Sequence, residues 1–172
     1  MAWNRLHHVN LLAEYNRWIN GELFEVCARI PDSDRKRDTG AFFRSIHGTF
    51  NHLLLADRLW MGRLTGEPFV VSSLAEELYA DFDDLHRERR MEDQRILNWV
   101  AALTEIDLDR EISYISAVDK KHRQFRMEDI LLHLFHHQTH HRGQITTLIS
   151  QLGHDFGETD LLFMPAMTTM KS

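Results

Sequence analysis

The 172-residue sequence contains one cysteine, Cys27, and only three prolines and eight glycines. A single cysteine cannot form an intrachain disulfide, and it excludes a cluster of thiolates as a zinc site. Any bound metal must therefore use other ligands. Because nothing near Cys27 in the sequence would lower its pKa, we expect this residue to be a small buried hydrophobe and not a nucleophile.

The sequence also lacks an excess of positive charge and any long apolar run. Its formal net charge is −6 and its pI is about 6.0, which argues against tight binding to nucleic acid phosphates. No apolar stretch approaches the ~20 residues that span a bilayer, and the N-terminal MAWNRLHHVN does not have the residue order of a signal peptide. We expect a cytoplasmic protein that binds a small molecule, and neither nucleic acid nor a membrane.

Apolar residues recur at every third or fourth position in four segments, which predicts four long helices. The predicted helices cover residues 6–29, 41–64, 73–103 and 128–152. With 43% hydrophobic residues, a chain of this length can bury one continuous core, so we expect a single domain over residues 1–172. Because the connections are mostly short, the sequence predicts an all-α four-helix bundle.

The segment 104–127, before the fourth helix, has a different pattern. Residues 111–116 and 122–127 alternate between apolar and polar, and the turn-like Val-Asp-Lys-Lys at 118–121 separates them. This alternation is typical of short strands. The segment is therefore predicted to be a small hairpin or an irregular loop.

Local signals define the ends of the third and fourth helices. Ser73 is a plausible N-cap for the third helix, with Glu76 completing a capping box. Gly153 is expected to end the fourth helix. A short fifth helix is predicted after Thr159.

Histidine is over-represented, with 12 residues, and five of them cluster between His133 and His141. On a helical wheel His137 and His141 fall within the apolar stripe of the fourth helix, whereas His136 and His140 fall at its edge or outside it. Residues four apart on a helix have Cβ atoms about 6 Å apart, so both imidazoles can bind one ion of the zinc or nickel class. A lone buried histidine is more often a hydrogen-bonded core residue, but the pair favours a metal site.

A third ligand is expected from the second helix, which offers His47 and His52. The wheel places His52 at the margin of the apolar stripe and His47 towards solvent, so His52 is the predicted ligand. Three imidazoles leave one coordination position open. In such a site a metal can activate water or a thiol, or polarise a carbonyl.

Three further polar residues of the fourth helix have predicted positions. Gln144, one turn beyond His141, can hydrogen-bond a ligand imidazole, although packing or solvent contact is an equal alternative. His133 is expected at an exposed edge. Arg142 lies about 180° around the wheel from His133 and is expected at the surface or in a dimer contact.

Four strings, in this order and spacing, resemble the DinB/YfiT-like family of candidate metal-dependent enzymes. They are YNRWIN at 15–20, NHLLLADRLW at 51–60, HLFHHQTHHRGQ at 133–144 and QLGHDFGETDLL at 151–162. The resemblance covers nearly the whole chain. It implies a four-helix bundle in which the second helix supplies one histidine and the fourth supplies an H-x3-H pair.

In this sequence the family pattern falls on His52, His137 and His141, and it implies nickel, zinc or a similar divalent ion. Relatives include thiol-dependent transferases and isomerases that use low-molecular-weight thiols, and the family suggests a homodimer. The sequence therefore favours a metal-dependent enzyme, of the thiol-dependent transferase or hydrolase type, whose catalytic residues it does not identify. The alternative from another class is a non-catalytic, metal-binding stress-response protein.

Overall fold

The fold is dominated by long helices. A computed structural model describes residues 4–116 and 118–168. Four long helices in this part of the chain are α1 (Arg5–Ala28), α3 (Ile46–Thr65), α4 (Phe82–Ala101) and α6 (Met127–Gln151). Shorter elements are α2 (Asp32–Arg35), α5 (Glu105–Leu108), a 3-10 turn (Leu161–Phe163) and α7 (Pro165–Thr168). The predicted all-α bundle and the short C-terminal helix are confirmed.

The long helices pack as a bundle in which each has two neighbours. Helix α4 contacts α1 and α3, and α6 contacts the same two helices, so the order around the bundle is α1, α4, α3, α6. Side-chain caps start three of them: Asn4, Ser45 and Asp81 each accept a hydrogen bond from a backbone N–H of the first turn. No described helix is long and apolar enough to cross a bilayer.

The segment before α6 is a hairpin, as one of the two predicted alternatives had it. Strands β1 (Glu111–Ile115) and β2 (His122–Arg126) pair antiparallel, with Ile112 opposite Phe125. Ile112 is buried against the bundle, and Tyr114, on the same face, is half-buried. The hairpin therefore brings Tyr114 to the side of α3.

The predicted start of the third helix at Ser73 is wrong, because α4 begins at Phe82. The Glu76 carboxylate does accept hydrogen bonds from Ser72, but the motif makes a local turn within an irregular segment, residues 66–81. Asn51 of α3 holds this segment through both backbone groups of Tyr79, at 2.9 and 3.1 Å. Tertiary hydrogen bonds thus override the local helix signal.

The second long helix also begins later than predicted, at Ile46 and not at residue 41. Arg44 has φ of +69°, which a right-handed helix cannot contain. The preceding segment instead crosses the first turn of α3 closely. A Cβ at Gly48 would overlap the carbonyl oxygen of Phe43, so glycine is what permits this approach.

A buried polar layer divides the apolar core into two clusters. One cluster contains Leu23, Phe24 and Phe50, and the other contains Met61 and Leu131. Between them along each long helix lie polar side chains with at most 4% of their surface exposed: Asn16, Asn20, Asp57, Arg89, Asp93, Gln138 and Arg142. Cys27 is fully buried and its pKa is raised to about 12 by burial, which confirms it as a core residue.

Ion pairs and amide hydrogen bonds link the members of this layer and balance its charges. The Arg89 guanidinium lies 2.7 Å from an oxygen of Asp57 and 2.9 Å from one of Asp93. Asn20 donates to the same Asp93 oxygen at 3.0 Å. Because carboxylates balance the buried guanidinium, the layer avoids the large cost of an isolated buried charge.

The prediction that Arg142 lies at the surface or in a dimer contact is wrong. Its guanidinium is buried and donates to the side-chain oxygens of Asn16, Asn20 and Gln138. The helical wheel places Arg142 outside the apolar stripe of α6, but the facing helix α1 offers it amide acceptors. Burial lowers its pKa to about 10, so it remains charged at neutral pH.

Replacing this buried arginine should destabilise the bundle strongly. We expect Arg142→Ala to lower the free energy of unfolding by about 3 kcal/mol, because Asn16 and Asn20 lose a charged donor and a cavity remains. Arg17→Ala, at an exposed position of the same helix that carries both asparagines, should change it by less than about 0.5 kcal/mol. Urea unfolding followed by circular dichroism measures both, and equal effects would contradict the buried role.

Candidate metal centre

Helices α3 and α6 bring three imidazoles together. His52 comes from the second turn of α3, and His137 and His141 lie one turn apart on α6. The Nε2 atom of His137 lies 3.3 Å from Nε2 of His52 and 3.1 Å from Nε2 of His141. One potential ligand atom from each residue lies within 4.8 Å of the other two. The structure therefore assembles the three histidines that the sequence singled out.

In the rings of His52 and His141, hydrogen bonds determine which of the two nitrogens carries the proton. Nδ1 of His52 lies 2.9 Å from the carbonyl oxygen of Leu74, and Nδ1 of His141 lies 2.7 Å from Oε1 of Gln144. Both partners are acceptors, so each Nδ1 carries the proton and each Nε2 presents a lone pair. Of the two alternatives for Gln144, the contact with a cluster imidazole is the one observed.

The surroundings also keep the three imidazoles neutral. Burial is the main cause that lowers the pKa of His52 to about 4, and the neighbouring His141 lowers it further. For His137, burial and then the charges of His141 and His52 lower the pKa to about 3. The pKa of His141 is lowered as well, mainly by burial. At neutral pH all three rings are therefore uncharged. Each can offer a lone pair on Nε2, as metal ligation requires.

This arrangement fits one metal ion better than it fits hydrogen bonding alone. A proton on Nε2 of His137 can be donated to His52 or to His141 but not to both, which leaves the lone pair of the other ring without a donor from His137. A tetrahedral ion with metal–nitrogen distances of about 2.0–2.1 Å places neighbouring ligand nitrogens roughly 3.3 Å apart. The observed 3.3 and 3.1 Å match that spacing.

An aromatic wall closes one side of the cluster. The ring of Phe43 stacks on His52 with centroids 3.8 Å apart, and its edge faces His141 at 5.4 Å. The close approach at Gly48 is what places Phe43 there. Phe43 is a functional candidate that the sequence did not indicate, since the position of its ring depends on the irregular segment before α3.

A cavity of about 240 Å³ adjoins the cluster and is lined by His52 and His137. Its other walls come from α3, from α6, from the hairpin and from the segment that precedes α4. They include Trp60, Arg63, Leu74, Tyr114 and His133. Trp60 is partly buried, so it packs against the apolar core as well as lining this cavity. Tyr114 could not be placed from sequence, because the hairpin brings it to the cavity.

His47 was predicted to face solvent, and this is wrong. The residue is 1% exposed, and its Nε2 lies 2.9 Å from the carbonyl oxygen of Tyr79. The irregular segment 66–81 covers the face of α3 that a long third helix would have left open. His47 nevertheless does not belong to the cluster formed with His52.

The other three histidines between residues 133 and 141 are exposed, as the wheel predicts. His136 and His140 are exposed, and neither belongs to the three-imidazole cluster. His133 is also exposed, as predicted, but its ring packs 5.0 Å from that of Trp60 and forms part of the cavity wall. Burial lowers the pKa of His133, so its neutral form is favoured.

Comparison with known proteins assigns the chain to one family. The profile of the DinB family matches residues 5–171, so the chain belongs to the DinB family. Protein DinB of Bacillus subtilis (strain 168) is 26% identical over 156 residues, which cover 87% of this chain and 88% of that protein.

A solved structure shares the fold. The crystal structure of a DinB-like protein from Bacillus cereus ATCC 10987 superposes with a TM-score of 0.66 at 17% identity. The match covers 84% of this chain and 90% of that one. The family resemblance stated from the four sequence strings is therefore confirmed.

The lowered pKa values predict how the metal-free protein responds to pH. The pKa values of His52 and His137 in the folded protein lie below the ordinary 6.5, so below pH 6.5 the unfolded chain binds more protons than the folded chain. The contribution of these two rings to the free energy of unfolding is therefore lost as pH falls from 6.5 towards 4. In histidine-detected NMR of the folded, metal-free protein, both rings should stay neutral from pH 7.5 to 5. In urea the same rings should titrate near 6.5. Protonation of either ring at pH 6 in the folded protein would contradict the burial argument.

Proposed function

We propose that the protein is a metal-dependent enzyme acting on a small molecule, with His52, His137 and His141 as ligands of one divalent ion of the nickel or zinc class. The observation that carries the proposal is the convergence of three Nε2 atoms beside a cavity. Hydrogen bonds through Nδ1 hold two of the rings in place before any ion arrives.

The number of ligands supports a catalytic role for the ion. Structural zinc sites usually have four protein ligands, whereas catalytic sites have three and leave a position for water or substrate. Among the described residues, the cluster holds three histidines and no further histidine, cysteine or carboxylate. The cavity lined by His52 and His137 gives a small molecule access to that position. A purely structural, stress-related metal site would need no such cavity.

When bound, the ion would act as a Lewis acid and lower the pKa of a thiol or water in the open position. The protein supplies three neutral imidazoles, an aromatic wall at Phe43 that keeps water from one side, and a cavity for the second reactant. His133 in the cavity wall is favoured in its neutral form and can accept a proton.

Within this class, we favour transfer of a low-molecular-weight thiol to an electrophile, as in thiol-dependent members of the family. In the opening of an epoxide, the thiol sulfur bonds to carbon and the carbon–oxygen bond breaks. The oxygen then receives the proton that the thiol loses. Hydrolysis, in which water replaces the thiol, is the second reaction that the same site supports.

Turnover with and without thiol tests the proposal. Protein loaded with nickel or zinc should consume an epoxide or a maleyl compound when thiols are supplied from a broad panel. His137→Ala should abolish turnover, and His136→Ala, an exposed histidine of the same helix, should retain it. Turnover that needs metal but no thiol would assign hydrolysis. No metal-dependent turnover of electrophiles or esters under either condition would contradict an enzymatic role.

A further inference from the structure

The cavity beside the three histidines contains one permanent charge. Arg63 of α3 lies in its wall, and no aspartate or glutamate is among the described residues that line it. The remaining walls are mostly apolar or aromatic. The cavity therefore carries a net positive charge even without a metal ion.

Two aromatic rings hold the Arg63 guanidinium in place. Its Cζ atom lies 4.3 Å from the centroid of the Trp60 ring and 4.2 Å from that of Tyr114. Trp60 is three residues earlier on α3, and Tyr114 comes from β1. Both contacts favour the charged guanidinium and limit its motion, so the side chain is pre-organised in the cavity wall.

Within residues 4–116 and 118–168, no group accepts a hydrogen bond from the Arg63 guanidinium. Of the described arginines that are not exposed, it is the one with neither an ion pair nor a hydrogen bond. Arg58, five residues earlier on α3, shows the usual pattern: it lies 2.7 Å from Glu88 and donates to Tyr79 at 3.1 Å. Burial lowers the pKa of Arg63, which reflects a cation that has lost water without gaining a carboxylate.

We propose that Arg63 is the anion-binding residue of this cavity and that it recognises a carboxylate on the small molecule that reacts at the histidine centre. The proposal rests on the function proposed above and adds a substrate class to it. The planar guanidinium presents paired N–H donors that match the two oxygens of a carboxylate. One guanidinium balances one negative charge, so a carboxylate suits the cavity better than a phosphate dianion.

The carboxylate has two potential carriers. It can belong to the electrophile, whose apolar part would then pack against Trp60 and Tyr114. It can equally belong to the thiol, since cysteine and its N-acyl derivatives carry a carboxylate beside the thiol. Both carriers present the same group to Arg63, and matched pairs of acid and amide separate them.

The test measures binding and does not depend on turnover. The probes are benzoate and benzamide for a thiol-free ligand, and N-acetylcysteine and its amide for a thiol. NMR shifts of the Trp60 indole N–H report binding to the metal-free protein and to the zinc-loaded protein. The variants are Arg63→Gln, Arg63→Lys and, as a matched control, Arg90→Gln at an exposed position of α4.

We expect at least one acid to bind the wild-type protein about ten-fold or more tightly than its amide, in the metal-free protein as well. Arg63→Gln should remove this preference, Arg63→Lys should keep part of it, and Arg90→Gln should leave it unchanged. The acid that shows the preference identifies the carrier. Thermal unfolding and zinc content of each variant exclude loss of fold or metal as the cause.

Three outcomes would overturn the proposal. They are equal binding of acids and amides, a preference that survives Arg63→Gln, and a preference that exists only with zinc and ignores Arg63. The last would mean that the carboxylate binds the ion directly, which leaves the proposed metal function intact. Conversely, a wild-type protein that neither retains zinc nor shows turnover would refute the proposed metal function. The comparison of acid and amide binding to the metal-free protein would still test the role of Arg63.

Discussion

Three imidazoles whose Nε2 atoms converge are the constraint on which the rest of the site depends. A single proton on His137 cannot serve both neighbours at once. The fold maintains this arrangement by anchoring the opposite nitrogens: the carbonyl of Leu74 holds His52, and Gln144 holds His141. The irregular segment that supplies Leu74 is itself tied to α3 through Asn51. The site thus needs a non-helical segment where the sequence predicts a helix.

The buried polar layer gives α3 and α6 a defined register next to the ligands. Gln138, which follows His137, donates to the carbonyl oxygen of Leu53, which follows His52. Arg142, which follows His141, is bound to α1. Buried polar networks specify one arrangement of a core because any shift leaves a donor or acceptor unsatisfied. We infer that this layer keeps the imidazole nitrogens at their short spacing.

The sequence predicted the bundle, the hairpin alternative and the three clustered histidines, because helical periodicity and the H-x3-H spacing are local features. It failed where burial depends on a partner. The wheel of each helix places His47 and Arg142 outside its apolar stripe, but Tyr79 and Asn16 supply their hydrogen-bond acceptors from other parts of the fold. Phe43 and Tyr114 could not be placed at all, since a positive φ at Arg44 and the hairpin register determine their positions.

The most direct test of the central claim is the metal content of tag-free protein, measured by elemental analysis after loading with nickel or zinc and gel filtration. We expect about one ion per chain in the wild-type protein and in His136→Ala, and a large loss in His52→Ala and in His141→Ala. These two variants remove ligands from different helices, so loss in both would require one shared site. Unchanged metal content in both variants would contradict the three-histidine centre.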